Sequence, residues 1–370
     1  MSKQVVSSNV ANGPANTAER SVLDVTIVLL PGGYASTAIA PTEVFHSAGT
    51  LWHVIQGEPV QPRFRVKVAT IDGGPVDSRY GLELNPKRSI HDIEHTDIII
   101  VSSSDLDTLE KIARNNTLVS WLREWHSRGA YIAGICTGVA LLAEIGLLDG
   151  KQATTHWGAV DRLRRRYPKV LWRPDLFVTE DRRVLCSGGV YASVDLSLYL
   201  VEKFCGHETA LQCAKSLVVS MPRSRQSGYS VMPLSRPHAD DKIRQAEEYL
   251  QQQYNRDASI KTLAELVGMS TRNFIRRFKA ATGHLPGAYS QMLRIAAAKE
   301  MLENGAPSIQ AVCTQIGYED VAYFRNLFKR YTGMTPGEYR SHFAEMSLDR
   351  GELASGGPES SFAQEMRRAS

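Results

Sequence analysis

Long apolar runs are missing from this 370-residue chain. Runs such as Val25 to Leu30 and Ile98 to Val101 fall far short of a membrane span, so no spanning segment is expected. Cysteine is scarce. The five present are scattered, none at paired ligand spacing, which argues against a disulfide framework and a zinc site. A basic-then-apolar leader is lacking too, because Met1 to Arg20 is polar and rich in Gly, Ala and Asn. Neither sign of charge dominates, and a net charge of +4 is too mild to name a partner. These features point to a cytoplasmic protein with no membrane attachment. An apolar fraction of 43% is ordinary for a globular chain, and the length suits two or three domains.

What is present is a repeat. Ser259-Ile-Lys-Thr-Leu-Ala-Glu-Leu-Val-Gly268 returns 49 residues later as Ser308-Ile-Gln-Ala-Val-Cys-Thr-Gln-Ile-Gly317. At an offset of 50 the match continues: Phe274, Phe278, Lys279, Thr282, Gly283, Pro286 and Tyr289 correspond to Phe324, Phe328, Lys329, Thr332, Gly333, Pro336 and Tyr339. Two copies are too few for a solenoid. A unit this short reads as a helix-turn-helix, and two in tandem read as a device for duplex DNA.

Composition divides the rest. Residues 1 to 21 and the tail 344–370 are expected to be disordered, since Gly, Ser and polar residues dominate them. Over 22–221 strands alternate with helices: Val25 to Leu30, Phe64 to Ala69, Asp97 to Val101 and Tyr131 to Ile135 are β-branched or apolar runs closed by turn residues. That alternation predicts an α/β domain with a parallel sheet covered on both faces. The stretch 222–240, rich in Pro, Ser and Arg, reads as a linker. From 241 to 343 the pattern is wholly helical.

In the first repeat Ser259 caps a helix whose Ile260, Leu263, Ala264 and Val267 form one stripe. Gly268 permits the turn, and Ser270 caps the next helix. There Phe274 and Phe278 point inward, which sends Arg272 and Arg276 outward, about 200° around the wheel. Arginine suits bidentate contact with guanine. In the second repeat Phe324 and Phe328 point inward and Ala322 and Asn326 outward, with Arg325 alongside. A helix over Tyr289 to Leu302 links the repeats, holding the two recognition helices about 34 Å apart, one turn of DNA. Arg277, Lys279 and Lys329 are left to touch phosphate. This half resembles the AraC/XylS transcription regulators, on Arg294-Ile295, Ala298, Leu302, Ile309, Ile316-Gly317-Tyr318, Asp320, Phe324, Phe328-Lys329, Gly333, Thr335-Pro336 and Tyr339-Arg340. Cys313 stands where that family usually has alanine. The resemblance implies base-facing roles for Arg272, Ile275, Arg276, Ala322, Arg325 and Asn326.

In the α/β half the sharpest feature is Gly134-Ile-Cys136-Thr-Gly138, between a strand and a helix running to Leu148. It has the layout of a nucleophile elbow, with a helix N-terminus expected to favour the thiolate. Ala153-Thr-Thr-His156-Trp157 follows, and Glu43 lies after the first strand. These features, with Gly146-Leu-Leu-Asp-Gly150 and Val184 to Val190, resemble the PfpI-like branch of the class I glutamine amidotransferase-like superfamily, a flavodoxin-like fold. The resemblance implies that Cys136 is the reactive cysteine position, Glu43 its neighbouring acid and His156 its histidine. Thr137 departs from the Cys-His pair of the peptidase-like members, which puts amide hydrolysis in doubt. Trp52, Trp157 and Trp172 are candidates to line a pocket or cage a quaternary amine, with core packing the commoner fate of such rings. The basic run Arg162, Arg164, Arg165 and Arg166 reads as a solvated helix face.

Together the halves resemble the GlxA-type transcriptional regulators. That implies a DNA-binding regulator, activation being the expected sign, controlled by a small metabolite near Glu43, Cys136, Thr137 and His156. An amino acid or amine derivative is the expected effector class. Homodimerisation through the α/β domain and contact with RNA polymerase are expected; no cofactor and no metal is called for. Two rivals remain open: an amidase or glyoxalase-type enzyme using Cys136, and a thiol redox sensor. Fusion to a DNA-binding domain favours the effector reading, because turnover would destroy the signal.

Overall fold

The computed structural model describes residues 22–223, 225–230, 238–306 and 308–344. The leading 1–21, the tail from 345 and residues 231–237 of the expected linker lie outside the described residues. The described residues form two compact units that part at Ser230.

In chain order the strands of the first unit are β1 (Leu23–Val28), β2 (Phe64–Ala69), β3 (Val76–Asp77), β4 (Glu83–Leu84), β5 (Ile98–Val101), β6 (Tyr131–Ile135), β7 (Gln152–Ala153), β8 (Leu171–Trp172), β9 (Val178–Asp181) and β10 (Val184–Ser187). Six of them form one sheet in the order β2-β1-β5-β6-β10-β9, parallel throughout except for β9 at its edge. β1 and β5 are buried along their whole length, as strands covered on both faces must be. One face carries α1 (Ser36–Ser47), α7 (Ala192–Cys205) and α8 (His207–Ser216), with α2 (Leu51–Gln56) packed on α8. The other carries α3 (Leu106–Asn115), α4 (Thr117–Ser127), α5 (Val139–Glu144) and α6 (Val160–Arg166). This is the flavodoxin-like arrangement. The helix expected to reach Leu148 stops at Glu144, because Gly146 adopts a left-handed φ of 78°.

Residues 222–230 differ from expectation. They lack regular structure, yet they are seated in the first unit. The Arg223 guanidinium donates to Asp195 Oδ2 at 2.7 Å and lies 4.2 Å from the Phe177 ring centroid. The Gln226 side chain is 2% exposed. Pro, Ser and Arg without periodicity signal missing secondary structure, not missing contacts.

The second unit is helical: α9 (Asp241–Gln252), α10 (Ile260–Leu266), α11 (Thr271–Thr282), α12 (Pro286–Glu303), α13 (Ile309–Gln315), α14 (Val321–Thr332) and α15 (Pro336–Phe343). Ser259, Ser270, Ser308 and Asp320 cap their helices with side-chain bonds, so both repeats start where the sequence says. Two cores result. Phe274, Phe278 and Tyr289 centre one; Phe324, Phe328 and Tyr339 centre the other. α12 serves both, with Leu293 in the first and Ile295 in the second.

Between those two residues sits Arg294, its side chain 6% exposed. It donates to Tyr254 O at 2.7 Å, to Asp257 Oδ1 at 2.7 Å and to Gly317 O at 3.5 Å, with its guanidinium 4.8 Å from the Tyr318 ring centroid. Gly317 has φ 82°, and a Cβ there would stand 1.9 Å from Asn255 O. The second repeat is thus packed backbone to backbone against the loop that leads into the first.

This yields a first prediction. Gly317→Ala adds that clash to left-handed strain and should lower the stability of the helical unit by more than about 2 kcal/mol. Gly305→Ala, at φ 78° with open space around it, should cost only the strain, about 1–2 kcal/mol. Thermal loss of helical circular dichroism compares the two. Equal losses would show that the Asn255 contact does not lock the repeats.

Candidate effector site and nucleic-acid interface

The carboxyl ends of β1, β5, β6 and β10 meet at one edge, and the chain order reverses between β1 and β5. Ligands of open α/β sheets bind outside such a point. β6 delivers Cys136 there with φ 55°, a left-handed backbone unusual for any residue but glycine. Flanking glycines let it close: a Cβ at Gly138 would lie 2.4 Å from Ser102 O, and one at Gly134 would lie 2.9 Å from Val139 Cα. A hydroxyl network ties the edge together. Thr137 Oγ1 donates to Ser104 O at 2.6 Å and receives Ser104 N at 3.3 Å. Tyr34 N donates to Ser103 Oγ at 3.0 Å. Thr155 Oγ1 donates to the carbonyl of Cys136 at 2.8 Å.

The elbow is as expected, but its ionisation is not. Cys136 is 4% exposed, and burial pushes its thiol above the ordinary range, outweighing the hydrogen bonds from Thr137. The helix that was to favour a thiolate starts only at Val139 and runs six residues. His156 is half-buried. Its Nδ1 accepts from Gly158 N at 3.0 Å, and a Cβ at Gly189 would lie 3.1 Å from its Cδ2. Burial lowers its pKa, so the ring is neutral at pH 7. Glu43 is exposed on α1. Among the described residues no hydrogen bond or ion pair joins Cys136 to His156 or Glu43. The structure brings Cys136, Thr137 and Thr155 together through hydrogen bonds, with His156 next in the chain.

The tryptophans do not form a cage. Trp172 is buried in the core and donates to Tyr167 O at 3.2 Å; Trp52 lies under Lys215; Trp157 stacks beside His156, ring centroids 5.2 Å apart. The basic run on α6 is occupied in part by ion pairs: Arg162 with Asp107 and Arg166 with Glu110 and Glu144.

Sequence reasoning missed Gln226. Its amide donates to Thr155 O at 2.8 Å, Leu176 O at 3.0 Å and Thr154 Oγ1 at 3.1 Å. Its head also fills the space beside Gly188, where a Cβ would meet it at 2.6 Å. No local pattern announces a residue held by partners 50 to 72 positions away.

On the helical unit, Arg272, Arg276, Ala322, Arg325 and Asn326 are exposed on α11 and α14, opposite the phenylalanines, and Ile275 is half-buried beside them. Arg276 is steadied by Asn273 Oδ1 at 2.9 Å. Arg277 was expected to be free for phosphate. Instead it forms a two-pronged pair with Asp240, the N-cap of α9, at 2.8 and 2.9 Å. That partner lies 37 residues away and is invisible to a helical wheel.

With this geometry in hand, comparison places both units. Residues 25–203 match the DJ-1/PfpI family and residues 263–342 match a helix-turn-helix domain family. The chain therefore joins a DJ-1/PfpI-family domain to an AraC-type helix-turn-helix domain. The same pairing extends along whole relatives. The HTH-type transcriptional regulator CdhR of Pseudomonas aeruginosa is 28% identical over 326 residues, 86% of this chain and 91% of that one. The HTH-type transcriptional regulator GlxA of Rhizobium meliloti is 25% identical over 333 residues, 88% of this chain and 98% of that one. Isonitrile hydratase of Pseudomonas putida is 30% identical over 150 residues, 40% of this chain and 63% of that one. No helix among the described residues is long and apolar enough to cross a membrane.

A second prediction concerns Cys136. Because its folded pKa is raised, the thiolate fraction should grow only at high pH. Alkylation by iodoacetamide at pH 7.5, resolved by site with mass spectrometry, should run at least about tenfold slower than in the denatured chain. The rate should keep climbing through pH 9. Fast labelling that levels off below pH 7 would mean a stabilised thiolate and restore the nucleophile.

Proposed function

We propose that this protein is a sequence-specific DNA-binding transcription regulator, acting as an activator, whose DJ-1/PfpI-type unit binds a small metabolite at the Cys136–His156 edge. The observation that carries the reading is the pair of exposed recognition faces, Arg272–Arg276 and Ala322–Asn326, set on two repeats that Arg294 and Gly317 hold in one orientation. Two faces in fixed register suit two successive major-groove segments of one duplex. Full-length similarity to proteins named as transcriptional regulators supports it. Homodimerisation, which multiplies affinity through effective concentration, and contact with RNA polymerase belong to the same reading.

A protonated, buried thiol without a bonded base supports binding over turnover. The buried hydroxyl of Ser187, in register with Ile135 beside the elbow, has no hydrogen-bond partner and offers a polar anchor for an effector. The left-handed Cys136 and the partial similarity to isonitrile hydratase favour an enzyme as the second reading. An amino acid or amine derivative is the effector class we propose.

Genome-wide occupancy of the purified protein on fragmented host DNA tests the regulator directly. A shared motif with two half-contacts about 34 Å apart is expected. On the strongest fragment, log affinity should fall linearly with log salt, by about 0.9 for each phosphate contact. Arg272→Ala or Arg325→Ala should weaken that site roughly tenfold to a hundredfold with little effect on random DNA. No enrichment at low salt, with the protein folded, would send the assignment to Cys136 chemistry.

The route from effector to DNA runs, in this proposal, through residues 222–230. Gln226 grips Thr155, and Thr155 grips Cys136, while the segment ends at Ser230, the last residue of the first unit. By linkage, a fragment that binds the helical unit should then change the alkylation rate of Cys136 in the wild type. Gln226→Ala should abolish that change while leaving DNA bound. Persistence of the DNA effect in the folded variant would rule this route out.

A further inference from the structure

The repeats differ in the first turn of their second helices, at a position that the base-facing residues above do not include. Asn273 in the first corresponds, at the offset of 50, to Tyr323 in the second. Asn273 is half-buried and spends its side chain on Arg276. Tyr323 is 48% exposed; among the described residues of the second unit it is the only Tyr, Phe or Trp so exposed. It stands in the first turn of α14, one residue after Ala322 and three before Asn326. Recognition helices present that first turn to base edges. With Phe324 and Phe328 marking the core direction, Tyr323 falls about 60° from Asn326 on the wheel, at the border of the outward arc. A ring at that border faces the wall of a groove that the arc enters.

The ring is exposed yet not loose. It meets Tyr318 edge to face, centroids 5.5 Å apart at 62°. Tyr318 in turn stacks on Phe324, at 6.4 Å and 22°, and lies under the Arg294 guanidinium. Tyr323 is therefore held by the same buried arginine that fixes the two repeats together. A preorganised aromatic surface loses little entropy on contact and gains by covering apolar surface. In the major groove the apolar group on offer is the C5-methyl of thymine.

We propose that Tyr323 is a specificity-determining residue of the second repeat, its ring covering the C5-methyl of one thymine beside the bases faced by Ala322 and Asn326. This rests on the DNA-binding reading above, and it adds an apolar readout to the polar one of Arg325 and Asn326. The first repeat, with Asn273 at the matched position, lacks this contact.

Deoxyuridine differs from thymidine only by that methyl, which gives a clean test. The full-length protein would be titrated with its strongest genomic fragment, each thymine replaced singly by deoxyuridine, at fixed salt, by fluorescence anisotropy. One thymine in the half-site of the second repeat should show about three- to fivefold weaker binding when demethylated, the worth of one buried methyl. In Tyr323→Ala the two duplexes should bind equally. Tyr323→Asn, which installs the residue the first repeat already tolerates, should do the same and guards against misfolding of the alanine variant. Tyr323→Phe should keep the discrimination, since the ring carries it. Methyl-insensitive binding by the wild type, or discrimination that survives Tyr323→Asn, overturns the proposal while leaving the regulator intact. Failure of the wild type to bind any duplex at low salt would overturn both.

Discussion

At Gly138 the chain approaches the carbonyl of Ser102 so closely that a Cβ would lie 2.4 Å from it, and at Gly317 it approaches Asn255 O to 1.9 Å by the same measure. Backbone meeting backbone without a side chain between is the constraint on which both units depend. In the first unit it seats the Cys136 turn on the loop after β5, which fixes the elbow against the Ser102–Ser104 hydroxyls. In the second it presses the turn of the second repeat against the loop between α9 and α10, which leads into the first. Neither contact tolerates a Cβ without movement of a peptide group, and packed interiors transmit such movement rather than absorb it. Function in each unit is thus built where the chain is least able to give.

The parts of this design that were legible in the sequence are local ones. A serine three residues before a helical N–H, a glycine after the last apolar position and aromatics four apart are signals that a short segment carries whole, and Ser259, Gly268, Phe274 and Phe278 behave accordingly. The elbow was legible for the same reason, since Gly134, Cys136 and Gly138 are neighbours. Its ionisation was not. The thiol's protonation is set by burial among residues from several elements, which outweighs the hydrogen bonds from Thr137. Arg277 teaches the same lesson: the wheel fixed its direction, while Asp240 decided its partner. The segment 222–230 misled because composition reports regularity, and Arg223 and Gln226 make their contacts without any.

Burial of Cys136 also separates the functions that this fold can host. A nucleophile needs thiolate and a base in reach; a thiol sensor needs access for the oxidant. A side chain 4% exposed with a raised pKa meets these needs less well than it meets those of a binding edge. A binding edge needs only shape, polar atoms and a means of reporting occupancy. The strained turn serves that end. A residue held at φ 55° stores strain, and strained backbone of this kind clusters at sites where ligands are clamped.

The reporting step is then a matter of magnitude. One amide group, Gln226 Nε2, has two protons and serves three acceptors on Thr154, Thr155 and Leu176. An over-subscribed donor is sensitive to where those acceptors sit, because a shift of Thr155 with the Cys136 carbonyl redistributes all three bonds. Each such bond is worth about 0.5–1.5 kcal/mol, so losing one or two changes the seating of Gln226 by roughly 0.5–3 kcal/mol. That spans the coupling energies of about 1–3 kcal/mol by which effectors change affinity at a second site, about 5- to 150-fold. Arg223, clamped by Asp195 and the Phe177 and Tyr229 rings, keeps the start of the segment in place. Tyr229 is itself braced by Arg223 and the Phe177 ring, so Gln226 lies between two held residues. In the proposed route, a set of shared bonds in a braced strap suits a switch thrown by a small metabolite, where a deeply buried ion pair in the same place would demand more binding energy than such a ligand supplies.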